Sequence, residues 1–329
     1  MKTLRQISLA ATVAFVSLSA GAASADPLKV ALLVPGHAND GSFNQVAREA
    51  AEKLAKDGDI TFEIREAMAD PSKSEPVIRQ YASQGYDLVI GHGIELSDPI
   101  LKIAPDFPKV HFAASGGPDL ADRLIANVDG WTYDFGQQGY LGGFVAGKLA
   151  GVTAFGMVGG PDLPFVKASH NGFKAGLKEG NASATFIETY TGSFDDAQKA
   201  AEVTRGMIAQ GAGVIWTSGD GIGNGVAAAA RQDGALTIGV TGEAGGFAEK
   251  VNIASVVLDM YPTYKAYIDD IKAGTFGKKF FVSGIANKGL VMTEVREVGE
   301  SLPADLKSQV EALISDLESG KKTLPNFFE

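Results

Sequence analysis

The stretch LKVALLVPGHANDGSFNQVAREAAEKL, residues 28–54, decides the fold of this chain. Its apolar start, 28–34, has the length and the valine and leucine content of a buried parallel strand. A loop rich in proline, glycine, asparagine and aspartate follows at 35–42. After the loop, apolar residues recur every four positions up to Leu54, which is typical of a helix with one buried face. The stretch therefore predicts a strand, a polar loop and a helix.

The polar loop and the start of the helix are the first candidate site. In an open parallel sheet, ligands are held by the loops that leave the carboxyl ends of the strands. An aromatic ring among hydrogen-bonding groups is typical of a small-molecule pocket. The residues of this kind are Asn39, Asp40, Ser42, Phe43 and Asn44. The alternative interpretation is that Asp40 or Ser42 only caps the helix and that Phe43 packs in the core.

Strands and helices continue to alternate along the chain in two series. The first series has further predicted strands at 60–64, 86–90, 110–114 and 124–128, and the second has strands at 154–158, 185–189, 214–217 and 236–240. Apolar strands that alternate with helices predict a doubly wound parallel sheet. Two such series predict two α/β lobes of similar topology.

The last part of the chain predicts a hinge. A strand at 253–258, a helix at 261–273 and an extended segment at 281–291 do not simply extend the second series. We expect the chain to return to the first lobe and to cross again, with crossovers near residues 130, 245 and 282. This assigns 26–130 and 245–281 to lobe 1, and 131–244 and 282–329 to lobe 2.

Residues 1–25 predict a secretory signal peptide. Lys2 and Arg5 precede a short apolar stretch at 7–18, and small residues lead to a cleavage site after Ala25. Cleavage leaves roughly 300 residues, enough for two lobes. It also removes two positive charges from a chain of formal net charge −10. We therefore expect a periplasmic protein whose surface repels nucleic acid.

The composition excludes several kinds of chemistry. The sequence contains no cysteine, which excludes disulfides, thiolate metal sites, a cysteine nucleophile and a lipid-modified N-terminal cysteine. The histidines lack metal-ligand spacing, so we expect neither a metal nor a cofactor. No nucleophile elbow and no convincing pair of carboxylates is present. We therefore expect a binding protein that is not an enzyme.

A set of motifs in a fixed order resembles one known family. The motifs are DGSFNQ at 40–45, VGGPDLP at 158–164, TGSFDD at 191–196, GDGIGNGV at 219–226 and IGV at 238–240. In this order they resemble the basic membrane protein (BMP) family, whose members are substrate-binding proteins of ABC importers and include bacterial purine-nucleoside receptors. The resemblance implies the type I periplasmic-binding-protein fold, with two lobes joined by a three-crossover hinge. It also implies that Phe43 stacks on a base whose edge is bound by Ser42 and Asn44.

Some positions depart from the family pattern. The acid that follows the fourth strand in nucleoside-binding members falls near Ser115 and Gly116 and is therefore missing here. The aspartate that the family has after IGV corresponds to Thr241, with Glu243 two residues later, and the late lysine corresponds roughly to Lys288. In the family the aspartate after IGV can accept hydrogen bonds from the ribose hydroxyls. The departures therefore concern the ribose contacts more than the base contact.

Further candidates follow or end predicted strands. They are His92, Trp131, Asp162, Trp216 and Asp220. Trp131 would complete an aromatic sandwich with Phe43, a contact worth about 0.5–1.5 kcal/mol beyond area burial, and Trp216 would bring the second lobe against the ligand. The alternatives are packing under the hinge for Trp131 and helix capping for the two aspartates.

We therefore predict a monomeric periplasmic solute-binding protein that captures a purine-like nucleoside or nucleobase. Its two lobes close on the ligand, and an ABC permease recognises the closed form. One alternative is a binder of another small polar solute, such as a sugar derivative or a flavin-like compound. Others are an exported enzyme on the same scaffold and a sensory receptor that signals to a membrane kinase.

Overall fold

The structure is a computed structural model of the 329-residue chain, and it describes residues 26–219, 221–241, 250–298 and 302–328. The strands, in chain order, are β1 Leu28–Leu33, β2 Ile60–Arg65, β3 Leu88–Gly91, β4 His111–Ser115, β5 Val128–Tyr133, β6 Ala154–Gly159, β7 Thr185–Tyr190, β8 Val214–Ser218, β9 Leu236–Thr241, β10 Asn252–Leu258, β11 Phe280–Ser283 and β12 Leu290–Met292. The helices are α1 Phe43–Lys56, α2 Pro71–Ser83, α3 Ser97–Ile103, α4 Phe135–Gly147, α5 Pro164–Gly180, α6 Ala197–Ala209, α7 Ile222–Asp233, α8 Tyr261–Ala273 and α9 Leu306–Glu318.

Within the described segments the strands form two sheets of the same topology. The first has the order β11-β5-β4-β3-β1-β2 and the second the order β12-β10-β9-β8-β6-β7. The pairing is parallel except between β10 and β12. Central strands such as β3 are buried along their whole length, whereas the edge strand β2 alternates between buried and more exposed residues. The prediction of two doubly wound α/β lobes is confirmed.

The chain crosses between the sheets at three places. It leaves the first sheet after β5, at Asp134, and forms α4 on the second. It returns after β10 with α8, which packs against α1, and continues into β11 of the first sheet. The turn at 284–289 then leads to β12 of the second sheet. We refer below to each sheet with its packed helices as the first and the second lobe.

The sequence-based expectation for the second crossover differs from the structure. We expected the strand at 253–258 to belong to the first lobe, but β10 pairs with β9 in the second sheet, with Ser255 opposite Gly239. The crossover therefore follows β10, and the position expected for it, residue 245, lies outside the described residues. An apolar strand fits the centre of either sheet equally well, so its sequence does not say which one it joins.

No helix in the described part of the chain is long and apolar enough to cross a membrane.

A buried carboxylate fixes the return of the chain to the first sheet. Asp129 of β5 is fully buried, and its Oδ1 accepts hydrogen bonds from the backbone N–H groups of Gly277 (3.0 Å) and Lys279 (2.8 Å), just before β11. Its Oδ2 has no partner among the described residues. Burial raises the pKa of Asp129 to about 6, the nearby Asp270 adds to this, and the two N–H groups and Lys279 oppose it.

We expect this carboxylate to make the stability depend on pH. Because the pKa of Asp129 is higher in the folded chain than in the unfolded one, its contribution is fully present below about pH 4 and is lost as the pH rises through 6. The loss approaches about 3 kcal/mol, since each pKa unit corresponds to about 1.4 kcal/mol. Asp129→Asn keeps the Oδ1 acceptor but does not titrate. Urea unfolding should show the free energy of unfolding of the variant gaining on that of the wild type between about pH 4 and 7; a constant difference over this range would contradict the assignment.

Candidate ligand-binding cleft

A cavity lies between the two lobes, where the loops leave the carboxyl ends of the strands of both sheets. Its first-lobe wall includes Phe43, Glu95, Ser115, Gly116 and Trp131, and its second-lobe wall includes Phe135, Gln138, Phe165, Phe194 and Ser218. The empty space between the walls is about 750 Å³, part of it open to solvent.

Six aromatic residues are among the described residues that line the cavity. On the second-lobe side a row of rings begins at the first crossover, with centroid distances of 3.6 Å from Tyr133 to Phe135 and 4.7 Å from Phe135 to Phe165. The Phe165 and Phe194 rings follow at 6.3 Å and are nearly parallel, with an interplanar angle of 11°. Flat rings on two sides of a gap are suited to hold a flat ligand by stacking.

Phe43 is the first residue of α1 and is supported from behind by His92. The two ring centroids are 4.0 Å apart, and the ring of Trp131 stacks on His92 at 5.1 Å. His92 Nε2 lies 2.9 Å from the carbonyl oxygen of Phe43, and its Nδ1 lies 2.9 Å from the hydroxyl of Tyr264 in α8. A carbonyl only accepts, so Nε2 carries the hydrogen and Nδ1 accepts from Tyr264. Burial lowers the pKa of His92 to about 3, which keeps the ring neutral.

His92 therefore holds the wall of the cavity and is not among the residues that line it. It connects Phe43 to Tyr264, which the chain supplies only after its return to the first lobe. The position of the Phe43 ring thus depends on α8 as well as on α1.

The polar side chains of the loop before α1 mainly stabilise the loop and the start of the helix. The carboxylate of Asp40 accepts from the backbone N–H groups of Ser42 (2.8 Å), Asn44 (3.2 Å) and Gln45 (3.1 Å) and from Asn44 Nδ2 (2.6 Å). Asn44 Oδ1 in turn accepts from the N–H of Gly36 (3.2 Å). Asp40 thus satisfies the free N–H groups at the start of the helix, as in the capping interpretation.

The remaining loop candidates lie away from the aromatic walls. Asp40 and Ser42 line a second, smaller cavity together with Gly219 and Asn224 of the second lobe. Asn44 is buried and lines neither cavity, and Asn39 is exposed and also lines neither. Of the five loop candidates, Phe43 alone reaches the larger cavity among the described residues.

Three first-lobe candidates that follow later strands meet at the larger cavity. Ser115, Gly116 and Trp131 all line it, and the N–H of Gly116 donates to the carbonyl of Trp131 (3.0 Å). The hydroxyl oxygen of Ser115 accepts from the N–H of Gly93 (2.8 Å). The indole Nε1 of Trp131 is buried and has no partner within the described chain.

Trp216 does not lie where the sequence suggested. It is fully buried and stacks on Phe173 of α5 at 5.1 Å, and its ring lies directly against Gly142 of α4. Ser218, two residues later on the same face of β8, is the residue that lines the cavity. A strand advances about 3.3 Å per residue, so a side chain two positions before the strand end lies one layer deeper, in the core.

Two more candidates lie outside both cavities. Asp162 is exposed and pairs with Lys167 at 2.7 Å; it does not cap α5, which has no side-chain cap. Lys288 is exposed on the third crossover turn, with a φ of 59°. Asp220, Glu243 and the side chain of Thr241 lie outside the described residues.

Ser218 is the first of three side chains that are joined in a row by hydrogen bonds. His170 Nε2 lies 2.7 Å from the hydroxyl oxygen of Ser218, and His170 Nδ1 lies 2.7 Å from a carboxylate oxygen of Glu188. Lys174 and the hydroxyl of Tyr190 also donate to Glu188. The hydrogen bond from His170 is the main cause that lowers the pKa of Glu188, and burial lowers the pKa of His170.

The charge at the cavity is negative. Among the described lining residues Glu95 is the one charged side chain. Burial raises the pKa of Glu95, and the nearby Asp195 of the second lobe raises it further. No group of three or more metal-ligating side chains occurs in the described segments.

Several lining residues were not identified from the sequence: Glu95, Phe135, Phe165, Phe194 and Ser218. One signal was available for Phe165. It follows β6 at the start of α5, as Phe43 follows β1 at the start of α1, and the two strands occupy equivalent positions in their sheets. Phe194 lies within the TGSFDD motif that supports the family resemblance.

The comparisons with known proteins agree with this architecture. The Bmp family, described as "ABC transporter substrate-binding protein PnrA-like", matches residues 28–318. Basic membrane protein A of Borreliella burgdorferi is 24% identical over 340 residues, which cover 99% of this chain and 100% of that protein.

Two solved structures extend the likeness to three dimensions. An ABC transporter system solute-binding protein from Conexibacter woesei is 52% identical with a TM-score of 0.81, and the match covers 92% of this chain and 100% of that one. Another from Aeropyrum pernix is 22% identical with a TM-score of 0.73, covers 91% and 94% of the two chains, and supports the fold alone. The type I periplasmic-binding-protein fold is thus confirmed, and the chain belongs to the Bmp family of PnrA-like ABC transporter substrate-binding proteins.

Proposed function

We propose that this chain is the periplasmic receptor of an ABC importer and captures a purine-like nucleobase or nucleoside between its lobes. The observation that carries the proposal is the aromatic cavity, in which Phe43 of the first lobe and Phe165 and Phe194 of the second lobe line the same gap. A flat heterocycle offers two faces to such rings, whereas a sugar offers mainly hydroxyl groups. The predicted signal peptide at 1–25 supports export, after which the chain acts as a monomer.

The ligand would act by joining the lobes. A solute that contacts both walls binds the closed arrangement better than an open one and shifts the population towards closure by that difference. The permease would then recognise the closed arrangement. The base is the part of the ligand that the described cavity supports best, because Thr241 stands here in place of the family's ribose-binding aspartate, and the family's acid near Ser115 and Gly116 is missing.

Titration calorimetry with nucleobases, nucleosides, ribose and galactose tests the proposal. We expect purines to bind and Phe43→Ala to weaken them by about 5- to 150-fold, since stacking of a base on an aromatic ring is worth about 1–3 kcal/mol. Phe62→Ala is the matched control, because Phe62 is a half-buried ring on β2 that does not line the cavity. Tight binding of a sugar with no binding of any heterocycle would contradict the proposal, as would an unchanged affinity in Phe43→Ala.

One observation favours a second candidate, an exported hydrolase. Ser218, His170 and Glu188 have the hydrogen-bond order of a serine, histidine and carboxylate triad, and Ser218 lines the cavity. Mass spectrometry of a bound nucleoside after long incubation separates the candidates. A receptor returns the nucleoside unchanged, whereas a hydrolase returns its fragments.

A further inference from the structure

The hydrogen-bonding role of Ser218 can be worked out from its partners. Glu188 receives hydrogen bonds from Lys174, Tyr190 and His170, so it is an ionised acceptor. The hydrogen of His170 is therefore on Nδ1, which faces the carboxylate. A buried neutral imidazole then has an unprotonated Nε2, which accepts the hydroxyl hydrogen of Ser218. Ser218 has no other hydrogen to give and presents only lone pairs to the cavity.

Glu95 is a second acceptor at the same cavity. It belongs to the first lobe, whereas Ser218 belongs to the second. No described cation acts on the carboxylate of Glu95: burial and the acidic Asp195 raise its pKa, and the hydrogen bond that it accepts from its own backbone N–H opposes this. A half-buried carboxylate without a cation is costly, and a donor on a ligand would offset that cost.

No positive charge balances these acceptors at the described walls. The described lining contains no lysine, arginine or histidine. An anionic ligand would therefore meet Glu95 without a compensating cation.

From this arrangement we propose that the cleft selects heterocycles that present N–H donors and carry no anionic group. Amino-substituted bases are preferred over their oxo counterparts, and phosphorylated forms are rejected. Glu95 and Ser218 are the residues that set this preference, one from each lobe. The inference rests on the proposed function, because it names the ligand class of that same cavity.

The test is a titration of the full chain at neutral pH with matched pairs of probes. The pairs are adenine with hypoxanthine and cytosine with uracil, and adenosine is compared with adenosine 5′-monophosphate. We expect the amino member of at least one pair to bind about tenfold more tightly than the oxo member, because a site built from acceptors rejects a ligand that presents an acceptor there. The monophosphate should bind about 100-fold more weakly than adenosine, or not measurably.

Glu95→Gln tests the role of the carboxylate. The amide has the same shape but can also donate to an oxo group, so the preference of adenine over hypoxanthine should fall to about threefold or less. Asp195→Asn is the matched control, because it removes a nearby acidic charge that is exposed and does not line the cavity. It should change the adenine affinity by less than about threefold. Thermal melting of both variants reports whether they fold.

The outcomes separate this inference from the proposed function. If the oxo bases or the monophosphate bind as tightly as their partners, and Phe43→Ala still weakens all of them, the selectivity inference fails and the proposed function stands. An adenine preference that survives Glu95→Gln overturns the role of Glu95. If none of the probes binds, the proposed function and the inference fail together.

Discussion

Gly143→Ala is expected to destabilise the second lobe by about 3 kcal/mol or more, a large fraction of the roughly 5–15 kcal/mol by which folded proteins are stable. A Cβ atom on Gly143 of α4 would lie 2.0 Å from the carbonyl oxygen of Phe173 in α5, and one on Gly139 would lie 1.9 Å from that of Ser169. The approach is reciprocal, since a Cβ on Gly176 of α5 would lie 2.1 Å from the carbonyl oxygen of Tyr140. The obstacles are backbone atoms, so the two helices would have to move apart.

The chain offers a matched control for this substitution. Gly206 also lies inside a helix, α6, but an added Cβ there meets no atom within 4 Å. Gly206→Ala should therefore stabilise the protein by about 0.5–1 kcal/mol, because alanine is the better helix former. Urea unfolding of the two variants measures both effects. A loss of less than about 1 kcal/mol in Gly143→Ala would contradict the close contact of α4 and α5.

This contact also matters for the ligand. Phe135 and Gln138, which line the cavity, are in the first turns of α4, and Phe165 is the second residue of α5. The glycines let the two helices pack with their backbones touching, and so they fix the distance between these lining residues. A substitution that separates α4 from α5 should therefore also displace the lining residues at the starts of these helices.

The second large expected effect is on stability, and it distinguishes Trp216, a core residue, from Phe165, a residue of the cavity wall. Trp216→Ala should lower the free energy of unfolding by about 3–5 kcal/mol, because it empties a large, fully buried site between α4 and α5. In the fraction that remains folded, the ligand affinity should stay within about threefold of the wild type, since Trp216 does not line the cavity.

Phe165→Ala should show the opposite pattern. Its ring is half-buried at the cavity and stacks on Phe194, so its removal should weaken a purine by about 5- to 150-fold. The free energy of unfolding should fall by about 1 kcal/mol or less, because the site already opens to solvent. Calorimetry and urea unfolding of both variants give the comparison. A Trp216 variant that folds stably but loses the ligand would restore the role that the sequence suggested.

The repeating unit of the fold could be predicted because its signals are local. The apolar run of β1, the polar loop and the four-residue periodicity of α1 all lie within 28–54, and the structure places them as expected. The assignment of β10 could not be predicted in this way. Its sheet depends on pairing with β9 and β12, which is a property of the whole fold.

Some residues of the candidate site could likewise be predicted from the sequence, and others could not. Phe43, Ser115, Gly116 and Trp131 were placed near the ligand because they end or follow strands of the first lobe, and all four line the cavity. Trp216 was placed there by the same reasoning but lies one layer deeper, because Gly142 of α4 leaves room for its ring in the core. Whether any of these residues contacts a ligand stays a prediction.

Glu95 illustrates what a sequence pattern does not contain. It lies two residues after a glycine with a φ of 142° that follows His92, in a short 3₁₀ turn, and nothing in its neighbours marks it as a cavity residue. Its importance comes from lining the cavity between the lobes, where Asp195 of the second lobe raises its pKa. Only the arrangement of the two lobes brings these residues together.

A crystal structure of the protein grown with adenine is the most direct test of the central claim, that a flat heterocycle is held between aromatic walls from both lobes. We predict that the purine ring contacts Phe43 on one side and Phe165 or Phe194 on the other, with its amino group within hydrogen-bond distance of Glu95. Adenine bound outside this cavity, or touching the rings of one lobe alone, would contradict the account.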